Sequence, residues 1–245
     1  MSQPYTPGTF PEIDGKKVID IVATTDTICP FVLHSALIQL RAYFNLRFCY
    51  LGYTKISQAV RQAEDESLPV KISIRFAPFQ VRVYIIRFPT QPRLAESTTQ
   101  LDPALTDEPV TKLERMAQKF GADRFKQIEL MMKQRFVDTG LPEPTSDVMI
   151  RQTTGSHRLI WKAGEVGGPD LQNNVVGALY KKHFIDGNDV GDIEGYLSDV
   201  AVENGLFTTK AEAVEWLNGK EGLPEYQEAI KKAQRMRISG VPFWT

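Results

Sequence analysis

Residues 18–31 read VIDIVATTDTICPF. The first half is rich in Val and Ile without polar alternation, which predicts a buried strand over residues 17–24. Cys29 and Pro30 follow at the point where such a strand passes into a helix. The dipole and the free backbone N–H groups at a helix N-terminus stabilise a thiolate over a thiol. The stretch therefore predicts a strand that presents a nucleophilic sulfur at Cys29.

The chain has one other cysteine, Cys49, which begins the run CYLG at residues 49–52. Two cysteines are too few for a disulfide scaffold, so they are either small buried residues or a single redox pair. If residues 32–49 formed one continuous helix, its rise would separate the two cysteines by roughly 25–30 Å. A disulfide needs Cα atoms within about 7 Å of each other. The pair can therefore act together only if the residues between them loop out.

The pattern along the rest of the chain predicts a mixed α/β protein. A Pro/Gly-rich, irregular lead-in covers residues 1–16, and the first strand should be followed by a helix that reaches about Ala63. Alternating apolar residues from Pro69 to Phe76 predict a second strand. Residues 81–100 fit no regular element and predict an unusually long loop. Helices are then expected near residues 109–120, 122–137, 146–164, 170–185, 190–204, 209–218 and 224–238.

Capping residues indicate where these helices begin and end. Asp192 and Thr208 are candidate cap or first-turn residues. Glycines that follow the helical runs are expected to stop them, and these are Gly121, Gly140, Gly187, Gly205 and Gly219. A strand, a helix, a strand, a long helical stretch and a last helix before Val241-Pro242 describe an α/β domain with a helical insertion.

Composition is that of a globular protein. The 245 residues are 42% hydrophobic and 24% charged, and the formal net charge of −1 argues against a dedicated nucleic-acid binder. No secretory signal is expected, because the first residues lack a basic start followed by an apolar stretch. Charged residues interrupt the most apolar region, residues 31–53, too often for a membrane span. We therefore expect a cytoplasmic protein without nucleic-acid or membrane partners.

Several short segments follow one another in a recognisable order. They are DTICPF at 26–31, CYLGY at 49–53, FQ at 79–80 with LDP at 101–103, KFG at 119–121, LYKKHF at 179–184 with GNDV at 187–190, and SGVPF at 239–243. This order and spacing resemble the DsbA-like thioredoxin-fold family, and within it the FrnE-like branch of dithiol–disulfide oxidoreductases. That branch is related to the 2-hydroxychromene-2-carboxylate isomerases and the kappa-class glutathione transferases.

The resemblance implies a thioredoxin-like fold with a large all-helical insertion. Residues 17–108 would form the N-terminal part of that fold, residues 109–220 the insertion, and residues 221–245 the C-terminal part. Family members continue past the Val-Pro pair with a further strand and a closing helix. The resemblance therefore implies that a C-terminal strand and helix are missing here.

The resemblance also implies roles for the site residues. Cys29, followed by Pro30 and Phe31, would be the attacking thiol, and Cys49 would resolve the mixed disulfide. Val241-Pro242 would contain a cis peptide that faces the thiol and binds an extended substrate, and Pro30 and Phe31 would contribute to the same surface. The alternatives are that both cysteines are simply buried and that Val241-Pro242 is an ordinary turn.

The histidines are weaker candidates. His157 resembles a histidine near the start of a family helix, and a packed or capping role is favoured over a catalytic one. His34 and His183 have no carboxylate or cysteine partner at metal-ligand spacing. No metal site is therefore predicted.

Two segments, residues 32–48 and 81–100, interrupt the family pattern. Removing the first joins Cys29 to Cys49 as a Cys-x-x-Cys motif, and removing the second closes the long loop. Both segments begin with valine, whose codons start with GT, and the second ends in glutamine, which CAG encodes. These are the edges of an intron, although the terminal phenylalanine of the first segment does not fit. We hypothesise that one or both segments are translated introns, which the transcript sequence would test.

These observations lead to three functional hypotheses. The first is a DsbA-like thiol–disulfide oxidoreductase that acts on a protein or small-molecule disulfide without a bound cofactor, with glutathione as a candidate co-substrate. The second is a glutathione-dependent isomerase or transferase that acts on a small aromatic substrate. The third is an inactive product of a mis-spliced gene model.

Overall fold

The computed structural model describes residues 12–13, 16–25, 49–78, 105–236 and 243–244. Two parallel strands, β2 (Lys16–Thr25) and β3 (Val70–Pro78), are the longest strands of its main sheet, and β3 is the outer one among the described strands. The register runs from Lys17 opposite Val70 to Thr25 opposite Pro78. The strands predicted at 17–24 and 69–76 are confirmed within two residues at each end.

The other edge of β2 carries two short antiparallel strands. Strand β1 (Glu12–Ile13) pairs with the start of β2, and β6 (Phe243–Trp244) pairs with its end. The prediction that residues 1–16 are irregular was therefore wrong at β1. The local signal was the Asp14-Gly15 dipeptide, which favours a two-residue hairpin between strands.

Helices make up most of the described chain. Helix α1 (Cys49–Asp65) precedes β3, and its last turns lead through Glu66–Pro69 into that strand. The helices that follow are α2 (Lys112–Phe120), α3 (Ala122–Asp138), α4 (Thr154–Phe184), α5 (Ser198–Glu203), α6 (Lys210–Asn218) and α7 (Leu223–Arg235). A π-helical turn, Ile193–Leu197, leads directly into α5. Among the described helices, none is both long and apolar enough to cross a bilayer.

The insertion is not entirely helical, which corrects one expectation. Strand β4 (Val110–Thr111) pairs antiparallel with β5 (Met149–Ile150) as a second small sheet. The helix predicted over 146–164 therefore begins only at Thr154. The apolar run at 148–150 pairs with a strand far away in the chain, and local periodicity does not reveal such a partner.

Helix α4 consists of two helical segments that meet at a bend. Gly168 has φ 66°, outside helical space, and Pro169 begins the second segment. Proline fits there because its missing N–H would have no helical partner in a first turn. The predicted break between 164 and 170 is confirmed.

Two other helix starts differ from the predictions. Asp192 is confirmed as a cap, with its side chain accepting hydrogen bonds from the N–H groups of Glu194 and Gly195. The element it begins is a π-helical turn and not the α-helix expected over 190–204. The cap of α6 is Thr209, not Thr208.

Candidate thiol site

The carboxyl ends of the central strands form one edge of the main sheet. Thr25 is paired with Pro78 in β3, and its neighbour Thr24 is paired with Phe243 in β6. Helix α1 contains 17 residues, a length of about 25 Å, and the nine residues of β3 span about 30 Å. Since α1 ends beside the start of β3, its first turn returns to the edge where β3 ends.

Aromatic contacts agree with this placement. The ring of Tyr53, in the second turn of α1, lies 6.0 Å from the ring of Phe76 near the end of β3. The Tyr53 hydroxyl donates to the backbone oxygen of Asn173 in α4 at 3.3 Å. Strand β3 and helices α1 and α4 therefore meet near the start of α1.

Most of the sequence-predicted site residues fall outside the described residues: Cys29, Pro30, Phe31, Val241 and Pro242. Their described neighbours in the chain do lie together. Thr25 precedes Cys29 by four residues, and Phe243 directly follows Pro242. How the five residues are arranged, and whether the Val-Pro peptide is cis, stay predictions.

Cys49 is the one predicted site residue whose surroundings are described. It is the first residue of α1 and its side chain is 0% exposed. Its thiol is free of any disulfide in the described part of the chain. Tyr50 and Leu51 beside it are also buried. A sulfur in this position cannot be reached by a large substrate without movement of its surroundings.

Tyr50 packs the first turn of α1 against the helical layer. Its ring stacks on Tyr180 at a centroid distance of 5.2 Å and on Phe184 at 5.6 Å. The edge of Phe136, from α3, approaches it at 5.6 Å. Burial, with smaller effects from the nearby Tyr53 and Asp186, raises the pKa of Tyr50, so the phenol stays neutral near pH 7. This cluster was not predicted, although the i, i+3 and i, i+4 spacing of its rings was a visible signal.

Two adjacent amide side chains in α4 were also missed. Gln172 and Asn173 follow the bend of α4 and reach the backbone of β3. The Asn173 amide donates to the carbonyl oxygens of Ile74, at 3.2 Å, and Pro169, at 3.1 Å. Because the partners in β3 are 96 and 99 residues away in sequence, no local pattern points to them.

The two histidines that the structure describes, His157 and His183, are buried. His157 is buried and its ring stacks on Tyr226 at 5.8 Å, which confirms the packed interpretation. His183 Nδ1 lies 2.9 Å from the backbone oxygen of Asn188. Among the residues that the structure describes, no three His, Cys, Asp or Glu side chains form a group that could hold a metal ion. His34 lies outside those residues.

The family follows from a direct comparison of sequences. Residues 43–245 match the model of the DSBA-like thioredoxin domain, and the chain belongs to this family. The matched region contains Cys49, Val241 and Pro242, but it begins after Cys29. A search of curated proteins finds no match.

Solved structures of similar architecture support the same fold. A probable DsbA oxidoreductase from Streptomyces coelicolor has a TM-score of 0.64 at 20% identity, over 92% of this chain and 79% of that one. A 2-hydroxychromene-2-carboxylate isomerase has a TM-score of 0.53 at 13% identity, over 93% and 85%. At such identities the likeness concerns fold alone. The expected thioredoxin-like fold with a helical insertion is confirmed.

Proposed function

We propose that this protein is a DsbA-like thiol–disulfide oxidoreductase in which Cys29 is the attacking thiol and Cys49 the resolving thiol. One observation carries the proposal. The ends of β2 and β3 and the start of β6 lie at one sheet edge, which Tyr53 of α1 approaches through Phe76. Cys29 follows Thr25 by four residues, and Pro242 directly precedes Phe243. Membership of the DsbA-like family supports the same chemistry.

The burial of Cys49 indicates which cysteine attacks the substrate and which resolves the mixed disulfide. Because the Cys49 side chain is 0% exposed, an incoming substrate disulfide cannot reach it first. Cys29 therefore attacks one substrate sulfur, the substrate S–S bond breaks, and one substrate thiolate leaves. Cys49 then attacks the sulfur of Cys29, which releases the second substrate thiol and leaves a Cys29–Cys49 disulfide. Two electrons pass to the substrate, and the reverse sequence oxidises a dithiol.

The position of Cys49 suits the resolving step. It lies one turn before Tyr53, whose ring is 6.0 Å from the ring of Phe76 near the end of β3. Cys29 lies four residues after Thr25, so its Cα stays within about 14 Å of the end of β2. Resolution needs the two Cα atoms within about 7 Å, which requires residues 32–48 to loop away from the site or to be absent from the natural protein.

The substrate would bind beside β6. Val241-Pro242 directly precedes Phe243, which pairs with Thr24 at the site edge. In the proposed complex, the backbone there and the side chains of Pro30 and Phe31 contact an extended disulfide substrate. Glutathione would serve as a reductant of the Cys29–Cys49 disulfide in the cytoplasm.

Variants at the two cysteines test this function. Cys29→Ser should abolish insulin reduction, and Cys49→Ser should accumulate a mixed disulfide between Cys29 and substrate that mass spectrometry detects. The transcript is sequenced in parallel, and a spliced form is tested if residues 32–48 are absent from it. Full activity of Cys29→Ser contradicts the proposal. Glutathione binding without disulfide reduction would favour the isomerase or transferase hypothesis instead.

A further inference from the structure

The buried side-chain amide of Gln172 in α4 pairs with the backbone of β3 as a neighbouring strand would. The N–H of Phe76 donates to Gln172 Oε1 at 2.7 Å, and Gln172 Nε2 donates back to the Phe76 carbonyl at 3.3 Å. The same Nε2 donates to the carbonyl of Ile160 at 3.1 Å. Gln172 is 6% exposed, and these bonds use its one carbonyl oxygen and both N–H donors. The side-chain amide therefore has no free hydrogen-bond donor.

The absence of a side chain at Gly164 leaves space for the Gln172 amide. A Cβ added at Gly164 would lie 2.9 Å from Gln172 Nε2, closer than real Cβ contacts come. An apolar side chain in place of Gln172 would leave the Phe76 N–H and carbonyl buried without these partners, which costs more than the hydrogen bonds contribute. The amide is therefore specific to this position and is not replaceable by another residue of similar volume.

The three bonds link β3 to both helical segments of α4. Ile160 lies in the first segment of α4 and Gln172 in the second, on opposite sides of the bend at Gly168. Phe76 is opposite Ala23 in β2, two residues before the Thr25–Pro78 pair that ends both strands. A change at Gln172 therefore acts on the sheet edge that flanks Cys29.

We propose that Gln172 is a positioning residue for the thiol site: its amide holds the end of β3, and with it the end of β2, in fixed relation to both segments of α4. This inference rests on the proposed oxidoreductase function. Gln172 touches no substrate. It acts through Phe76 and the paired strand ends, which fix the backbone at Thr25, from which the chain continues to Cys29.

Two variants of Gln172 and one matched control test the inference. Gln172→Leu removes all three bonds, while Val176→Ala, one turn on in α4, truncates a side chain that is 1% exposed without touching Phe76. Hydrogen exchange at the Phe76 amide and the pH profile of Cys29 alkylation are measured for both variants in the full chain. Gln172→Leu should speed Phe76 exchange at least tenfold more than Val176→Ala does, and should shift the alkylation midpoint.

A third variant, Gln172→Glu, distinguishes loss of these hydrogen bonds from a general loss of folding. Its carboxylate still accepts from the Phe76 N–H but donates to neither carbonyl, and on protonation at low pH it regains one donor. Phe76 protection, compared with that of Gln172→Leu at the same pH, should recover in this variant as the pH falls. Equal behaviour of Gln172→Leu and Val176→Ala in both measurements overturns the inference. A wild type with protected Phe76 but unreactive Cys29 would instead overturn the proposed function.

Discussion

The ring of Tyr50 stacks on the ring of Tyr180 with centroids 5.2 Å apart, so the residue next to Cys49 is held by the second segment of α4. Tyr50 also contacts Phe184 and Phe136, at 5.6 Å each. The start of α1 is thus fixed by three rings from two other helices. The position of the candidate resolving thiol depends on this packing as much as on α1 itself.

Replacing Tyr50 by alanine should destabilise the fold strongly. The substitution removes three ring contacts and leaves a cavity, which typically costs about 3–5 kcal/mol for a large buried aromatic side chain. Urea unfolding measures the loss. Tyr50→Phe retains the rings and should cost less than about 1 kcal/mol, and a similar cost for both variants would show that the stacking contributes little.

Arg158 should be needed to hold α4 against the end of α6 and the loop that follows it. Its guanidinium donates to the carbonyls of Glu221 and Leu217 at 2.8 Å and of Trp216 at 3.0 Å. Arg158→Met removes donors from these carbonyls, and we expect a loss of about 2–4 kcal/mol in urea unfolding.

Two controls accompany this variant. Arg158→Lys keeps the charge but cannot reach three carbonyls at once, so its loss should be intermediate. Lys162→Met removes the nearby ion pair with the exposed side chain of Glu221 and should cost less than about 1 kcal/mol. Equal losses for Arg158→Met and Lys162→Met would contradict the importance of the three bonds.

Lys112 should make stability depend on pH in the alkaline range. Burial lowers the pKa of this lysine from 10.5 to about 8, and the opposite effect of Glu129 is smaller. Below about pH 8 the folded state carries a buried ammonium and its cost is fully present. As the pH rises from 8 to 10.5 the unfolded chain holds more protons than the folded one, so the folded state gains stability, by about 3 kcal/mol in all.

Unfolding experiments at several pH values check this. The free energy of unfolding of the wild type should rise relative to that of Lys112→Met between pH 8 and 10.5, and the variant should be the more stable protein at pH 7. Lys71→Met, at an exposed position in β3, serves as the control and should leave the profile unchanged. A constant difference between wild type and Lys112→Met would disprove the burial cost.

Thr209 should stabilise the start of α6 by about 1 kcal/mol. Its hydroxyl accepts from the N–H of Glu212 at 3.3 Å, and the Glu212 carboxylate accepts from the N–H of Thr209 at 3.1 Å, a reciprocal capping box. Thr209→Ala should show this loss in urea unfolding. Thr208→Ala is the matched control, because only its backbone N–H takes part, and it should be close to neutral.

The regular elements of the fold could be predicted because their signals are local. Alternation at Val70, Ile72, Ile74 and Phe76 identified β3, and both Ile74 and Phe76 are buried. The Gly-Pro break within α4 was readable from residues 164–170. By contrast, β4 and β5 pair across a long stretch of chain, so the strand at 149–150 was mistaken for part of a helix.

The candidate site was predictable only as a set of residues. A Cys-Pro pair after a Val/Ile-rich strand indicated Cys29, but the residues that hold the site edge act through distant backbone groups. Gln172 is 96 residues from Phe76, and a glutamine in a helix has no local feature that reveals a buried partner. Cys49 was identified by resemblance, whereas its complete burial depends on packing against other helices.

The amides of Gln172 and Asn173 also affect how molecules of this protein meet one another. An outermost strand with unpaired backbone groups can serve as a template on which another chain adds, and such growth leads to aggregates. The N–H and carbonyl of Phe76 and the carbonyl of Ile74 are already hydrogen-bonded to side chains of α4. Another chain could pair with β3 at these positions only by displacing the amides of Gln172 and Asn173.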